Sequence, residues 1–143
     1  MGTSKQIRVL ALGIIQSGDR IFVGEGYDPV KDSTFYRALG GGVDFGETSY
    51  EALQREFMEE ISAELTNIEY LGCQENIFEF NGKQGHELLQ LYRCDFADPK
   101  FYEAGRITFA EGDRKKDALW VELARFRSGE LRLVPEGFLQ YID

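Results

Sequence analysis

Apolar and polar positions along the chain sort into short strand-like runs, interrupted by one segment of helical period. Residues 7–16 are rich in Val, Leu and Ile and predict a strand buried on both faces. Ser17, Gly18 and Asp19 form a turn, and residues 21–24 return as the partner strand. Residues 25–35 mix Gly, Pro and Asp with polar positions and predict a loop, while residues 36–39 predict a short strand. Residues 68–80 and 86–96 are the arms of a hairpin around Asn81-Gly82, a pair suited to a turn needing φ > 0 at both central positions. Beyond them, residues 97–105 predict a loop, 106–109 a short strand, 111–116 a charged turn, and 118–121, with Trp120, a further strand. Residues 122–127 and 136–142 predict short helices, separated by 131–134 and Pro135. Strands mixed with two or three helices predict an α/β sandwich, organised as one domain over residues 1–143.

The period changes at Thr48. Thr48 followed by Glu51 fits a capping box and sets the helix start. With about 100° between successive residues, Glu56, Glu59 and Glu60 share one arc, and Tyr50, Leu53, Phe57 and Ile61 form the adjacent buried stripe. Ala52 and Ala63 lie on the carboxylate side and leave space there, while Glu51, Met58 and Ser62 point the other way. Three carboxylates on one face repel each other, and the repulsion grows as the dielectric falls near a buried stripe. Arg55, four residues before Glu59, can neutralise part of that charge. A divalent cation can neutralise the rest, and oxygen ligands favour magnesium, manganese or calcium over zinc.

Composition narrows the classes. The 143 residues are enough for one real core, and 43% hydrophobic and 13% aromatic content predicts a globular chain. A net charge of −9 argues against a binder of nucleic-acid polymers, which needs basic stripes, but not against a small nucleotide whose phosphates meet the protein through a cation. Cys73 and Cys94 lack metal-type spacing and are read as reduced core cysteines, consistent with a cytoplasmic protein. The first 15 residues fit neither a signal peptide nor a myristoylation signal, and no apolar run is long enough to span a membrane.

The acidic helix face does not stand alone. Gly41, Glu47, Arg55, Glu56, Phe57, Glu59 and Glu60 match in register the pattern Gly, five residues, Glu, seven residues, Arg-Glu, an apolar residue, any residue, Glu-Glu. This stretch resembles the Nudix box; Ser62 stands where the family has glycine, and Ala63 is a weak match to its last apolar position. The departure bears on how the helix ends more than on the chemistry. The resemblance implies a Nudix-type α/β/α sandwich with a central mixed sheet and a loop-helix carrying the box. It implies hydrolysis, dependent on Mg2+ or Mn2+, of a pyrophosphate in a nucleoside diphosphate linked to another group. It implies Glu56, Glu59, Glu60 and the Gly40 carbonyl as metal ligands, Glu59 also as ligand or base, and Arg55 with Glu47 as an orienting pair that acts by holding geometry. Glu111 and Glu87 are candidate general bases outside the box, and His86 is the only histidine. Phe35, Tyr36, Phe78, Phe80 and Tyr92 are candidates for stacking on a base, most of them expected in the core. A homodimer is a weaker expectation of the same resemblance. The alternative function is a non-catalytic Nudix-like module that senses a nucleotide or binds a protein, and the retained box carboxylates weigh against it.

Overall fold

The computed structural model describes residues 5–142; the first four residues of the N-terminal stretch read for targeting signals lie outside them. Strands β1 (Arg8–Ile14), β2 (Gln16–Ser17), β3 (Arg20–Asp28) and β4 (Ser33–Gly42) precede helix α1 (Ser49–Ile61). Then come β5 (Leu65–Phe80), β6 (Lys83–Phe96), β7 (Ile107–Glu111), β8 (Arg114–Glu122) and helix α2 (Leu123–Arg127). Single 3-10 turns lie at Pro99–Tyr102 and Phe138–Tyr141.

The strands form one mixed sheet in the order β5-β6-β1-β4-β3-β8-β7, with β2 paired to β3. β1 and β6 run parallel, and the other strand pairs are antiparallel. β4 changes partner along its length: its first part pairs with β3, and Leu39–Gly42 pair with β1. The triple glycine therefore sits where one strand joins the two arms of the sheet.

Alternation along the strands gives the sheet two buried faces. On one face Ala11, Ile15, Phe22 and Leu39 pack against Leu53 and Phe57 of α1. On the other, Leu10, Leu12, Tyr36, Ala38, Leu89 and Leu91 pack with Phe126 of α2 and Phe138 of the C-terminal turn. Leu53 and Phe57 are fully buried, each worth roughly 2 kcal/mol, so tertiary packing rather than helix propensity holds α1 on the sheet. This is the expected α/β/α arrangement around a central mixed sheet. Among the described residues, no helix is long and apolar enough to cross a membrane.

The helix starts as its sequence predicts. The Thr48 side chain accepts from the Glu51 backbone N–H, and the Glu51 carboxylate accepts from the Thr48 N–H. Asn81 and Gly82 adopt φ of 53° and 75° and turn the chain from β5 into β6. Four expectations need correction. Residues 25–35 are mostly strand rather than loop, because Glu25–Asp28 pair in register with Ser33–Tyr36 and only a short turn joins them. The charged segment 111–116 turns only at Gly112 and Asp113, since Glu111 pairs with Arg114. Tyr50 is half exposed rather than buried: it sits in the first helical turn with its ring edge against Tyr92. Cys94 is a core residue but Cys73, on the edge strand β5, is exposed.

Candidate active site

The site is built where the end of β4 meets α1. Gly40 takes φ +150°, and a Cβ there would lie 1.9 Å from the Ala11 carbonyl oxygen, so the backbone pairs with β1 only as glycine. A Cβ on Gly41 would lie 2.3 Å from the Glu56 carboxyl carbon. The absent side chain thus lets a helix carboxylate rest on the strand backbone. Asp44 to Glu47 is a turn closed by the Glu47 N–H to the Asp44 carbonyl, with the Asp44 N–H returning to the Glu47 carboxylate.

Arg55 ties loop and helix together. Its Nε and Nη2 donate to the two Glu47 oxygens at 2.7 and 2.9 Å, and Nη2 also reaches the Gly42 carbonyl at 2.9 Å. Its Nη1 donates to Glu56 Oε1 at 2.9 Å and lies 3.3 Å from a Glu59 oxygen. The hydrogen bonds from Arg55, with that from the Asp44 N–H, hold the Glu47 carboxyl down at about 2. The same pairing raises the Arg55 guanidinium further above neutrality. Arg55 and Glu47 are therefore permanently charged and fix the geometry of their neighbours.

The three helix carboxylates diverge. The Glu56 side chain is only 17% exposed, and burial pushes its carboxyl up despite Arg55. Glu59 turns out to the rim, 60% exposed, toward Arg55. Glu60 points inward, and its Oε1 is buried with no hydrogen-bond donor. Burial, followed by the facing carboxyl of Glu111 at the end of β7, raises the Glu60 carboxyl well above the usual range. Burial also pushes Glu111 upward, but Lys116, 2.8 Å from Glu111 Oε1, together with the Glu60 proton and the charge of Arg37, leaves its carboxyl below the usual range. Two carboxylates alone have no donor between them, so one proton, held on Glu60, reconciles the lone oxygen with the contact to Glu111.

Glu111 thus joins the box carboxylates. Its place could not be read from the sequence, because nothing local tells which strand end faces a helix 50 residues earlier. Glu87 is engaged elsewhere: it is buried and accepts from Arg37 Nη1 at 2.9 Å. His86 lies in β6 opposite Ile77. Tyr36 and Tyr92 are core residues, whose hydroxyls meet Glu25 and Ser49. Phe35 and Phe80 meet edge to face at 5.8 Å, and Phe78 and Phe80 line a cleft of about 300 Å³ at the β5–β6 turn, with no box carboxylate in its lining.

The donor chemistry suits a hard divalent cation: the Glu56 carboxylate rests on the Gly41 backbone, Glu60 is close enough to feel its charge, and a buried Glu60 oxygen lacks a partner. Among the described residues, no three acidic, histidine or cysteine side chains already close into a cage of metal-binding size. Magnesium, which keeps several waters and takes few protein ligands, does not need one.

The family model of the NUDIX domain matches residues 4–141. A NUDIX hydrolase from Nitrosomonas europaea superposes with a TM-score of 0.66 at 18% identity, over 96% of this chain and 86% of that one. A MutT NUDIX hydrolase from Burkholderia pseudomallei does so with 0.59 at 25% identity, over 84% and 86%. The E. coli ORF135 protein gives 0.55 at 19% identity, over 92% and 83%.

Proposed function

The chain belongs to the Nudix family and is a Nudix-type hydrolase, and on that premise we propose that it cleaves, with Mg2+ or Mn2+, the pyrophosphate of a small nucleotide in which a nucleoside diphosphate carries a further group. The observation that carries this reading is the inward-facing Glu60, whose buried oxygen has no donor and whose carboxyl faces Glu111. Such an arrangement costs stability and is retained where it serves chemistry.

Glu56, Glu60 and the Gly40 carbonyl would hold the cation, with Glu59 as a further ligand at the rim. When bound, the cation neutralises charge on the pyrophosphate and lowers the pKa of coordinated water. Arg55 keeps Glu56 against Gly41 while Glu47 keeps Arg55 in place, so the pair acts by positioning. Two carboxylates are candidates to accept the proton of an attacking water. Glu59 is open to solvent, and Glu111 is held ionised beside Lys116.

The substrate classes are nucleoside triphosphates, dinucleoside polyphosphates, ADP-ribose and other sugar nucleotides. The test is a panel of these with magnesium in oxygen-18 water. The reading predicts cleavage at the pyrophosphate with one heavy oxygen on a single phosphoryl product. Absence of cleavage across the whole panel, with magnesium or manganese, contradicts it.

A further inference from the structure

Among the described residues, two charged side chains are buried, Asp28 and Glu87. Asp28 serves the fold: it accepts the backbone N–H groups of Val30, Lys31 and Asn81 and so ties the β3–β4 turn to the β5–β6 turn. Glu87 has no such explanation. It sits in β6, 50 residues from Arg37, and accepts from Arg37 Nη1 at 2.9 Å. A buried ion pair contributes little net stability, because desolvation offsets the attraction and an apolar pair of similar size does as well or better.

The register shows what Arg37 faces. Residues two apart on a strand share a face, so Arg37 lies on the face of β4 that carries Leu39, packed on α1, and Gly41, against Glu56. Across the sheet Arg37 is opposite Gly24, Gly24 is opposite Ala118, and Ala118 is opposite Ile107. The same face of β8 carries Lys116, and the same face of β7 carries Glu111. Between Arg37 and the Glu111 strand this row carries only Gly24 and Ala118; the Leu39 side chain lies over Gly24, and Ala118 is fully buried. The guanidinium also lies near enough to Glu111 for the two charges to interact.

We infer that Arg37 binds a phosphate oxygen of the substrate's pyrophosphate, and that Glu87 is the positioning residue that aims its guanidinium. This rests on the pyrophosphate hydrolysis proposed above. A guanidinium carries its donors in a rigid fork suited to phosphate. Anchoring Nη1 on Glu87 leaves Nε and Nη2 for a ligand, and the Arg37 side chain is 26% exposed, within reach of one. In a chain of net charge −9, an anionic substrate needs such a fixed cation in addition to a metal ion.

The test compares wild type with Arg37→Ala, Arg37→Lys and Glu87→Gln on the substrates the wild type cleaves. It also follows the rise in melting temperature that inorganic pyrophosphate produces with Mn2+. Arg37→Ala is expected to raise KM about tenfold or more with kcat changed far less, and to abolish the pyrophosphate shift. Arg37→Lys is expected to recover part of both, and Glu87→Gln to raise KM while it folds normally. Should Arg37→Ala fail to fold with Glu87 left unpaired, the pair Arg37→Met with Glu87→Leu removes both charges and must show the same high KM. An active wild type beside variants with unchanged KM and an unchanged pyrophosphate shift overturns the inference alone. A wild type that cleaves no member of the panel overturns the hydrolase reading, and the inference with it.

Discussion

Arg55 holds Glu47 by both carboxylate oxygens, Nε to Oε2 at 2.7 Å and Nη2 to Oε1 at 2.9 Å. The same guanidinium reaches Glu56, Glu59 and the Gly42 carbonyl. Arg55→Ala therefore strips several acceptors of their donor at once. It is expected to lower turnover by about a hundredfold and the melting temperature by roughly 5 °C. Steady-state kinetics and calorimetry check both, and unchanged values in each would remove Arg55 from this role.

The Glu47–Arg55 contact also sets an acid limit. The Glu47 carboxyl is held at about 2 against an ordinary 4.5, so its contribution is complete above the unfolded value and is lost as the pH falls from about 4.5 toward 2. Glu47→Gln should flatten that part of the stability curve relative to wild type. Denaturant unfolding at several pH values between 2 and 5 measures it.

Glu60 gives the opposite sign. Its folded carboxyl is raised above the unfolded value by burial and by Glu111. Its stabilising contribution is thus present below about 4.5 and is lost as the pH rises through neutrality. Metal-free wild type should lose stability steadily from pH 5 to 9, and Glu60→Gln should lose less. Melting curves in chelator across that range decide it; parallel curves for the two proteins contradict the placement of the proton on Glu60.

Gly40 and Gly41 separate fold from function. Gly40→Ala places a methyl group 1.9 Å from the Ala11 carbonyl oxygen at φ +150° and is expected to unfold the protein or cost several kcal/mol. Gly41→Ala meets the Glu56 carboxyl, the far end of a flexible side chain, which can swing away. That variant should fold with a melting temperature near wild type and lose most of its turnover.

The helix end offers a stabilising change. Ser62 adopts φ 55° and ψ 38°, with its N–H on the Met58 carbonyl and the Ala63 N–H on the Phe57 carbonyl. A left-handed residue with a Cβ costs about 1 kcal/mol, so Ser62→Gly should stabilise by about that amount with turnover unchanged. Chemical denaturation of the two proteins measures the difference.

What could be read from the chain follows the range of the interactions. The capping box at Thr48 and Glu51 and the turn at Asn81-Gly82 are local, and their residues alone specify them. The register of the box from Gly41 to Ala63 points to the family from about a sixth of the chain. The extension of β3 and β4 is not legible locally, because Gly26, Asp28 and Pro29 resemble loop composition. Gly26 is glycine because the Phe35 ring lies over it, where a Cβ would be 2.5 Å away. The exposure of Tyr50 is not legible either, because an angular position on a helix does not show where the first turn leaves the sheet. The meeting of Glu60 with Glu111, and of Arg37 with Glu87, depends on pairing between segments some 50 residues apart, and no local period encodes it.

Glu56, held by Arg55 against the glycine strand, and the inward-facing Glu60 are proposed to form a divalent-cation site. Titration of Mn2+ followed by electron paramagnetic resonance, on wild type and on Glu56→Gln and Glu60→Gln, tests it most directly. Saturable uptake by the wild type is expected, with its loss, or weakening by at least about tenfold, in both folded variants. Equal manganese affinity in all three proteins would contradict it.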